Sequence, residues 1–217
     1  MEIIFYGRSC FLLKSKDIRA VLDPYSSEAG LNLPSGIKSD VISVSHQHSD
    51  HNNTAAISGI ESDKKPFVIS APGEYEVNGV SIIGVPSFHD SQKGAERGKN
   101  TIFLYNLEEM GVCHLGDLGH SLSDDELNKL NQVDVLMVPV GGIFTIDARK
   151  AVEIINQIDP KIVIPMHYQD GAGSKLAPLE NFVKEIGMAP EKVDMLKMVK
   201  ANLPEEERKL IVFNKRG

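Results

Sequence analysis

Cysteine is scarce in this chain: Cys10 and Cys113 are the only two among 217 residues. Each sits inside an apolar segment, so both read as small buried hydrophobes rather than parts of a disulfide framework, which suits a reducing compartment. Positive charge is also short, with 23 Lys and Arg against 30 Asp and Glu, a formal net charge of −7. Such a balance argues against sequence-independent binding to nucleic acid or to an anionic membrane, either of which needs a basic face. No apolar run approaches the length that crosses a bilayer, and residues 1–7 lack the basic and long apolar regions of a signal peptide. The expected compartment is the cytoplasm. Low-complexity tracts, linkers and short repeats are missing too, so residues 1–217 read as one domain large enough to bury a core without staples.

What is present is a succession of short apolar runs. Residues 2–6, 10–13 and 18–22, separated by polar turns, predict a meander of three strands. A buried strand is expected over 41–45, a short helix over 54–60, and further strands over 67–70, 75–77 and 80–85, the last two joined by the turn Asn78-Gly79. Strands over 101–106 and 112–115 follow. The character then changes to helices over 124–132, capped by Ser123, over 148–158 and over 179–186. These alternate with strands over 135–138, 162–164, 193–196 and 210–213. Antiparallel strands opening each half, with helices after them, suggest an α+β chain of two sheets packed face to face.

The most informative stretch is His46-Gln47-His48-Ser49-Asp50-His51, which follows the strand over 41–45 directly. It gathers three imidazoles and a carboxylate, a poor way to build a core and a good way to hold divalent metal. His46 and His48 share one side of an extended segment, and Asp50 and His51 follow where the chain turns. Imidazole with carboxylate suits zinc, with manganese, iron and nickel as the other candidates. Three more ligand-type residues stand just past apolar runs: His89, Asp117 and His167. Strands emptying into one edge would bring them together.

The order HxHxDH, a lone His in Ser87-Phe88-His89-Asp90, a Gly-Asp in His114-Leu115-Gly116-Asp117, and Pro165-Met166-His167 resembles the metallo-β-lactamase superfamily over nearly the whole chain. The likeness is to its small metal-dependent hydrolases similar to the ascorbate-6-phosphate lactonase group. It implies a four-layer αββα sandwich. It also implies two divalent ions: the first held by His46, His48 and His89, the second by Asp50, His51 and His167, with Asp117 bridging both. Many β-lactamases place a cysteine ligand where this chain has none, which lowers the antibiotic-hydrolysing reading. Two divalent ions against two carboxylates and a hydroxide leave about +1 of formal charge, suited to generating hydroxide near neutral pH.

Other residues are candidates beside that set. Asp23, ending a strand, could accept the free ring N–H of a ligand histidine or could simply end the strand. His120, three residues past Asp117, is expected to overhang the site as proton donor or substrate contact, whereas His114 reads as structural. Tyr168 could stabilise an oxyanion or pack. Arg97, with Lys93 in the same cation-bearing loop, could orient a carboxylate or phosphate on the substrate. The expected function is hydrolysis of an ester, lactone or phosphoester bond in a small anionic molecule. A phosphodiesterase or nuclease is the enzymatic alternative, and a non-catalytic metal-binding protein is the alternative from another class. A homo-oligomer stays open.

Overall fold

The computed structural model describes residues 1–170 and 174–214. In chain order the strands are β1 (Glu2–Gly7), β2 (Cys10–Lys14), β3 (Arg19–Leu22), β4 (Lys38–Ser39), β5 (Val41–Ser43), β6 (Ser58–Gly59), β7 (Phe67–Ile69) and β8 (Gly73–Val77). They continue as β9 (Val80–Phe88), β10 (Lys99–Leu107), β11 (Met110–His114), β12 (Val135–Pro139), β13 (Ile162–Met166), β14 (Pro190–Val193), β15 (Leu196–Lys197) and β16 (Lys209–Phe213). Three α-helices accompany them: α1 (Asp124–Lys129), α2 (Ala148–Ile158) and α3 (Leu179–Ile186).

The strands form two large sheets, one in the order β15-β1-β2-β3-β5-β7 and one in the order β14-β16-β13-β12-β11-β10-β9-β8. The predicted meander β1-β2-β3 is antiparallel, with Phe5 opposite Phe11 and Leu12 opposite Val21. Between the sheets lies a core drawn from both, including Ile3, Phe11 and Leu22 from one and Ile82, Phe103 and Ile164 from the other. A second core fills the outer face of the larger sheet, where Ile154, Ile155 and Phe182 of α2 and α3 meet Leu104, Leu136 and Val163. Helix α1 adds Leu127 and starts on a capping box in which Ser123 and Glu126 bond each other's backbone N–H. The outer face of the smaller sheet carries a third core of Leu12, Val21, Ile42 and Val44. Three cores separate four layers of an α+β sandwich. All three α-helices cover the larger sheet, whereas the smaller one is roofed by irregular chain and 3₁₀ turns bearing Ala29 and Ile57.

Two expectations fail locally. The helix expected over 54–60 is a 3₁₀ turn, Thr54–Ala56, followed by β6, which pairs parallel with β4. Ala55 and Ala56 are exposed and, apart from Gly59, only Ile57 is buried, so the segment has no apolar stripe to hold a helix down. The strand expected over 193–196 is split: β14 lies beside β16 in the larger sheet, and β15 pairs with β1 in the smaller. The chain crosses between sheets there. Among the described residues no helix is long and apolar enough to cross a membrane.

Strand direction fixes where ligands can gather. β3 and β5 run parallel, as do β11, β12 and β13, and β9 shares their direction because it and β11 both run antiparallel to β10. The carboxyl ends of β3, β5, β9, β11 and β13 therefore open at one edge, where α/β sheets commonly receive ligands. The two sheets are tied together there. Thr101 N–H donates to Ser45 O at 2.9 Å, and His167 N–H donates to Arg8 O at 2.9 Å.

Candidate metal centre

Each of those five strands delivers a histidine or aspartate within three residues of its end, or the HxHxDH turn: Asp23 after β3, His46 to His51 after β5, His89 after β9, Asp117 after β11 and His167 after β13. Ligand-type atoms of His46, His48 and His89 lie within 4.8 Å of one another, and so do those of Asp50, His51 and His167. Asp117 stands between the two trios. Its Oδ2 is 3.3 Å from Nε2 of His89, His51 and His167, and 3.9 Å from Nε2 of His46. All seven residues named from the sequence thus meet at one place. His46, His51, His89, Asp117 and His167 are buried, while His48 is exposed and Asp50 half-buried, which opens the cluster to solvent on their side.

Asp23 also reaches the cluster, but both its oxygens are spent on protein donors. Oδ1 accepts from Ser45 N–H at 2.7 Å, and Oδ2 accepts from Ser45 Oγ–H at 2.6 Å and His51 Nδ1–H at 2.8 Å. Because an ionised carboxylate only accepts, Ser45 Oγ receives the Nδ1–H of His46 at 3.0 Å. One aspartate therefore fixes two imidazoles in the tautomer that turns a bare Nε2 inward. Asn at position 23 keeps the shape and loses one of those acceptors. We expect Asp23→Asn to weaken metal binding about 10- to 100-fold in competition with a chelator; undiminished affinity would mean the rings are oriented by other contacts.

The donor atoms fit a cation. Nε2 of His46, Nε2 of His51 and Oδ1 of Asp117 are buried with no hydrogen-bond partner among the described residues. A buried polar atom without a partner costs about 1–3 kcal/mol, so three in one cluster call for a shared partner. Charge states agree. Desolvation pushes His46 down to about 3 and lowers His48, where the neighbouring His89 adds to the effect. Burial opposes ionisation of Asp117, yet the imidazoles of His167 and His51 hold its carboxyl well below the usual range. Asp50 is likewise lowered, burial being outweighed by the imidazoles of His167, 3.9 Å away, and His51. For His51, burial is overcome by the carboxylates of Asp117 and Asp23, which raise it well above the ordinary imidazole value. A proton and a metal ion compete for that one nitrogen.

Backbone geometry places the ligands. Asp23 and His167 both adopt positive φ, 44° and 51°, a conformation that non-glycine residues hold only where the surroundings over-determine it. Residues not singled out from the sequence provide that hold. Asn100 is buried; its Nδ2 donates to Ser87 Oγ and Leu115 O, and its Oδ1 accepts the N–H of Asp117 at 3.0 Å. His114 is structural, as expected: it donates from Nε2 to Ser9 O at 2.9 Å and accepts Gly116 N–H at Nδ1, 3.2 Å away. Arg8, whose carbonyl holds the N–H of His167, is locked in turn to Asp170 through its own N–H and its guanidinium. The turn Gly7-Arg8-Ser9 between β1 and β2 looked like a plain connector in the sequence; only the tertiary pairing shows it as an anchor.

Two predicted contacts are corrected. His120 does not overhang the cluster with a free nitrogen: its Nε2 accepts Phe88 N–H at 3.1 Å and its Nδ1–H donates to Ser121 O at 2.8 Å. It clips the end of β9 to the approach to α1. Tyr168 is buried in the outer core of the larger sheet, with its ring 6.4 Å from that of Phe5, and desolvation pushes its hydroxyl up to about 12. It packs, and is poorly disposed to stabilise an oxyanion. Asp90 accepts backbone N–H bonds from Gln92, Gly94, Glu96 and Arg97, so it organises its own loop rather than a ligand histidine. Arg97, carried by that loop, lies 4.6 Å over the ring of Phe144.

A mixed-sheet sandwich with a His/Asp cluster on the carboxyl edge of its strands defines a recognised class of protein, and comparison with known families gives the same answer. Residues 2–167 match the beta-lactamase superfamily domain. The chain belongs to the metallo-β-lactamase superfamily. It is 30% identical over 202 residues to a UPF0173 protein of Pyrococcus abyssi, covering 86% of this chain and 90% of that one. A UPF0173 metal-dependent hydrolase of Carboxydothermus hydrogenoformans is 29% identical over 192 residues, covering 77% and 84%. Among solved structures, a protein of Thermotoga maritima assigned as a Zn-dependent hydrolase of the metallo-β-lactamase superfamily is 35% identical, with a TM-score of 0.81 and 99% of each chain covered.

Proposed function

We propose that this protein is a metal-dependent hydrolase whose centre holds two divalent cations, zinc first among them, with manganese, iron or nickel as alternatives. The first cation is assigned to His46, His48 and His89, the second to Asp50, His51 and His167, and Asp117 to both. One observation carries this reading: a single buried oxygen, Asp117 Oδ2, stands 3.3 Å from imidazole nitrogens of both trios. When bound, such cations lower the pKa of water to about 7 and polarise a carbonyl or phosphoryl oxygen. The chain's own part is to hold the donors still and dry. Asp23 and Ser45 fix the rings of His46 and His51, and the buried wall of His89, Asp117 and His167 keeps bulk water to the side of His48 and Asp50. With His120 tied to the backbone, Asp50, half-buried at the open side, is the carboxylate placed to exchange a proton with an arriving substrate.

The substrate class follows from scale and charge: a small anionic ester, lactone or phosphoester. Lactonase-like chemistry ranks above a phosphodiesterase or nuclease because of the resemblance to the lactonase group, and the net charge of −7 counts against the basic face that grips a polynucleotide. The test is removal of metal by chelation, followed by reloading with zinc, manganese, iron or nickel. We expect two equivalents per chain and, at about 100 times Kd, roughly 2.7 kcal/mol of added stability. That corresponds to about 5–10 °C in Tm for a chain of this size. The reloaded protein is then given lactones, bis-p-nitrophenyl phosphate and RNA. Turnover of RNA alone overturns the ranking, and uptake of two metals with no turnover leaves a non-catalytic metal-binding protein.

A further inference from the structure

We propose that Arg97, Phe144 and Ile143 form a two-part recognition rim beside the metal centre, which takes substrates bearing a carboxylate or phosphate next to an apolar or aryl group. The proposal rests on the hydrolase reading above and narrows its substrate class.

Two loops make the rim: one extends the ligand-bearing strand β9, and the other leaves β12, which lies between the ligand-bearing strands β11 and β13. The first, residues 90–98, leaves directly after His89 and is wound around the carboxylate of Asp90, which accepts four backbone N–H bonds of 2.7–3.1 Å, the last of them from Arg97. The second, residues 140–147, leaves β12. Gly141 lies so close to His167 that a Cβ there would stand 2.1 Å from the His167 carbonyl oxygen, and Ile146 N–H donates to Leu118 O, next to Asp117, at 2.9 Å. The base of this loop, beneath a tip formed by Ile143 and Phe144, is thus wedged between the chain segments that carry Asp117 and His167.

That tip breaks two rules of surface construction. Ile143 is 60% exposed and Phe144 37%, although both are large and apolar. Ile143 also has φ of +59°, an outlying conformation for a β-branched residue. The turn is nonetheless pinned, by Gly142 N–H to Ile146 O, Thr145 N–H to Gly142 O and Ala177 N–H to Gly141 O. Strain that presents apolar side chains to solvent, held by a well-bonded frame next to a candidate catalytic centre, points to a ligand.

Arg97 supplies the other half. Its guanidinium stacks on the ring of Phe144 and, among the described residues, makes no ion pair. The ring face holds the guanidinium in place while no ion pair takes up its N–H groups, which suits it to charge-assisted contact with a carboxylate or phosphate. Preordering the side chain also lowers the entropy lost on binding. An apolar group attached near that anion would lie along Ile143 and the exposed face of Phe144.

The test is calorimetric titration of the zinc-loaded protein with three unreactive probes: phenylsuccinate, succinate and phenylacetate. In the unaltered protein phenylsuccinate is expected to bind tightest. Arg97→Ala should weaken phenylsuccinate and succinate about 10- to 100-fold, the loss of a charge-assisted pair to their second carboxylate, and change phenylacetate by less than about twofold, because its single carboxylate goes to the zinc and leaves none for Arg97. Arg97→Lys, which keeps the charge but not the planar fork, should recover only part of the loss. Ile143→Gly should abolish the advantage of phenylsuccinate over succinate with Tm unchanged or higher, because it relieves the positive φ. Equal losses for all three probes, no loss, or no binding by the unaltered protein each overturn the rim. Since turnover on the substrate panel is measured separately, the hydrolase reading can stand or fall without it.

Discussion

Asp117→Asn should lower kcat/KM by about three orders of magnitude and strip metal from the protein as purified. The side chain sits where four imidazole nitrogens converge within 3.3–3.9 Å of Oδ2, fully shielded from water. An amide is nearly isosteric, so the fold should survive. Its NH₂ group is a donor and cannot ligate, and its oxygen carries no formal charge to offset two dications. A loss of about 4 kcal/mol in transition-state stabilisation, the scale of metal-assisted charge neutralisation, is about a thousandfold in rate. Metal content by mass spectrometry and kcat/KM on the best substrate read the two effects separately. A variant that keeps two metals per chain and turns over normally would show that Asp117 does not join the sites, and the dinuclear assignment would fall with it.

Much of this centre was legible because it is built on strand ends. A short apolar run followed by a ligand-type residue marks the carboxyl end of a buried strand, and His46, His89, Asp117 and His167 all announce themselves that way. The resemblance to the superfamily rested on the same residues, and the family match agrees with it. What failed lies one step beyond each ligand, where the turn decides direction. His120 is three residues from Asp117, but Gly119 N–H bonds back to Phe88 O and swings His120 onto the backbone of β9. Tyr168 follows His167, whose positive φ redirects the chain so that the tyrosine enters the outer core. The supports were hidden for another reason. Ser45, Asn100 and Arg8 act through pairings 22, 17 and 159 residues away, and nothing in local spacing encodes such a partner.

Gly116→Ala should have a large effect on stability for a single added methyl group near the centre. The residue has φ of +58°, and a Cβ would stand 2.3 Å from Asn100 Oδ1 and 2.6 Å from the Ser45 Cβ. Neither neighbour can retreat cheaply. Asn100 is buried and bonded to Ser87, Leu115 and Asp117, and Ser45 carries the links from Asp23 to His46. Left-handed strain of about 1–2 kcal/mol adds to overpacking of about 1–3 kcal/mol, for a total of about 2–5 kcal/mol. At about 2–4 °C per kcal/mol, Tm should fall by roughly 5–15 °C. Gly30→Ala is the internal control, because Gly30 has φ of +77° and nothing within 4 Å of its absent Cβ. It should show the strain alone, a drop of about 2–8 °C, with metal affinity intact. Displacing Asn100 also moves the backbone N–H it holds on Asp117, so only the Gly116 variant should lose metal affinity. Equal falls in Tm for the two variants, or full metal retention by Gly116→Ala, would mean that the bed under Asp117 is softer than its hydrogen bonds imply.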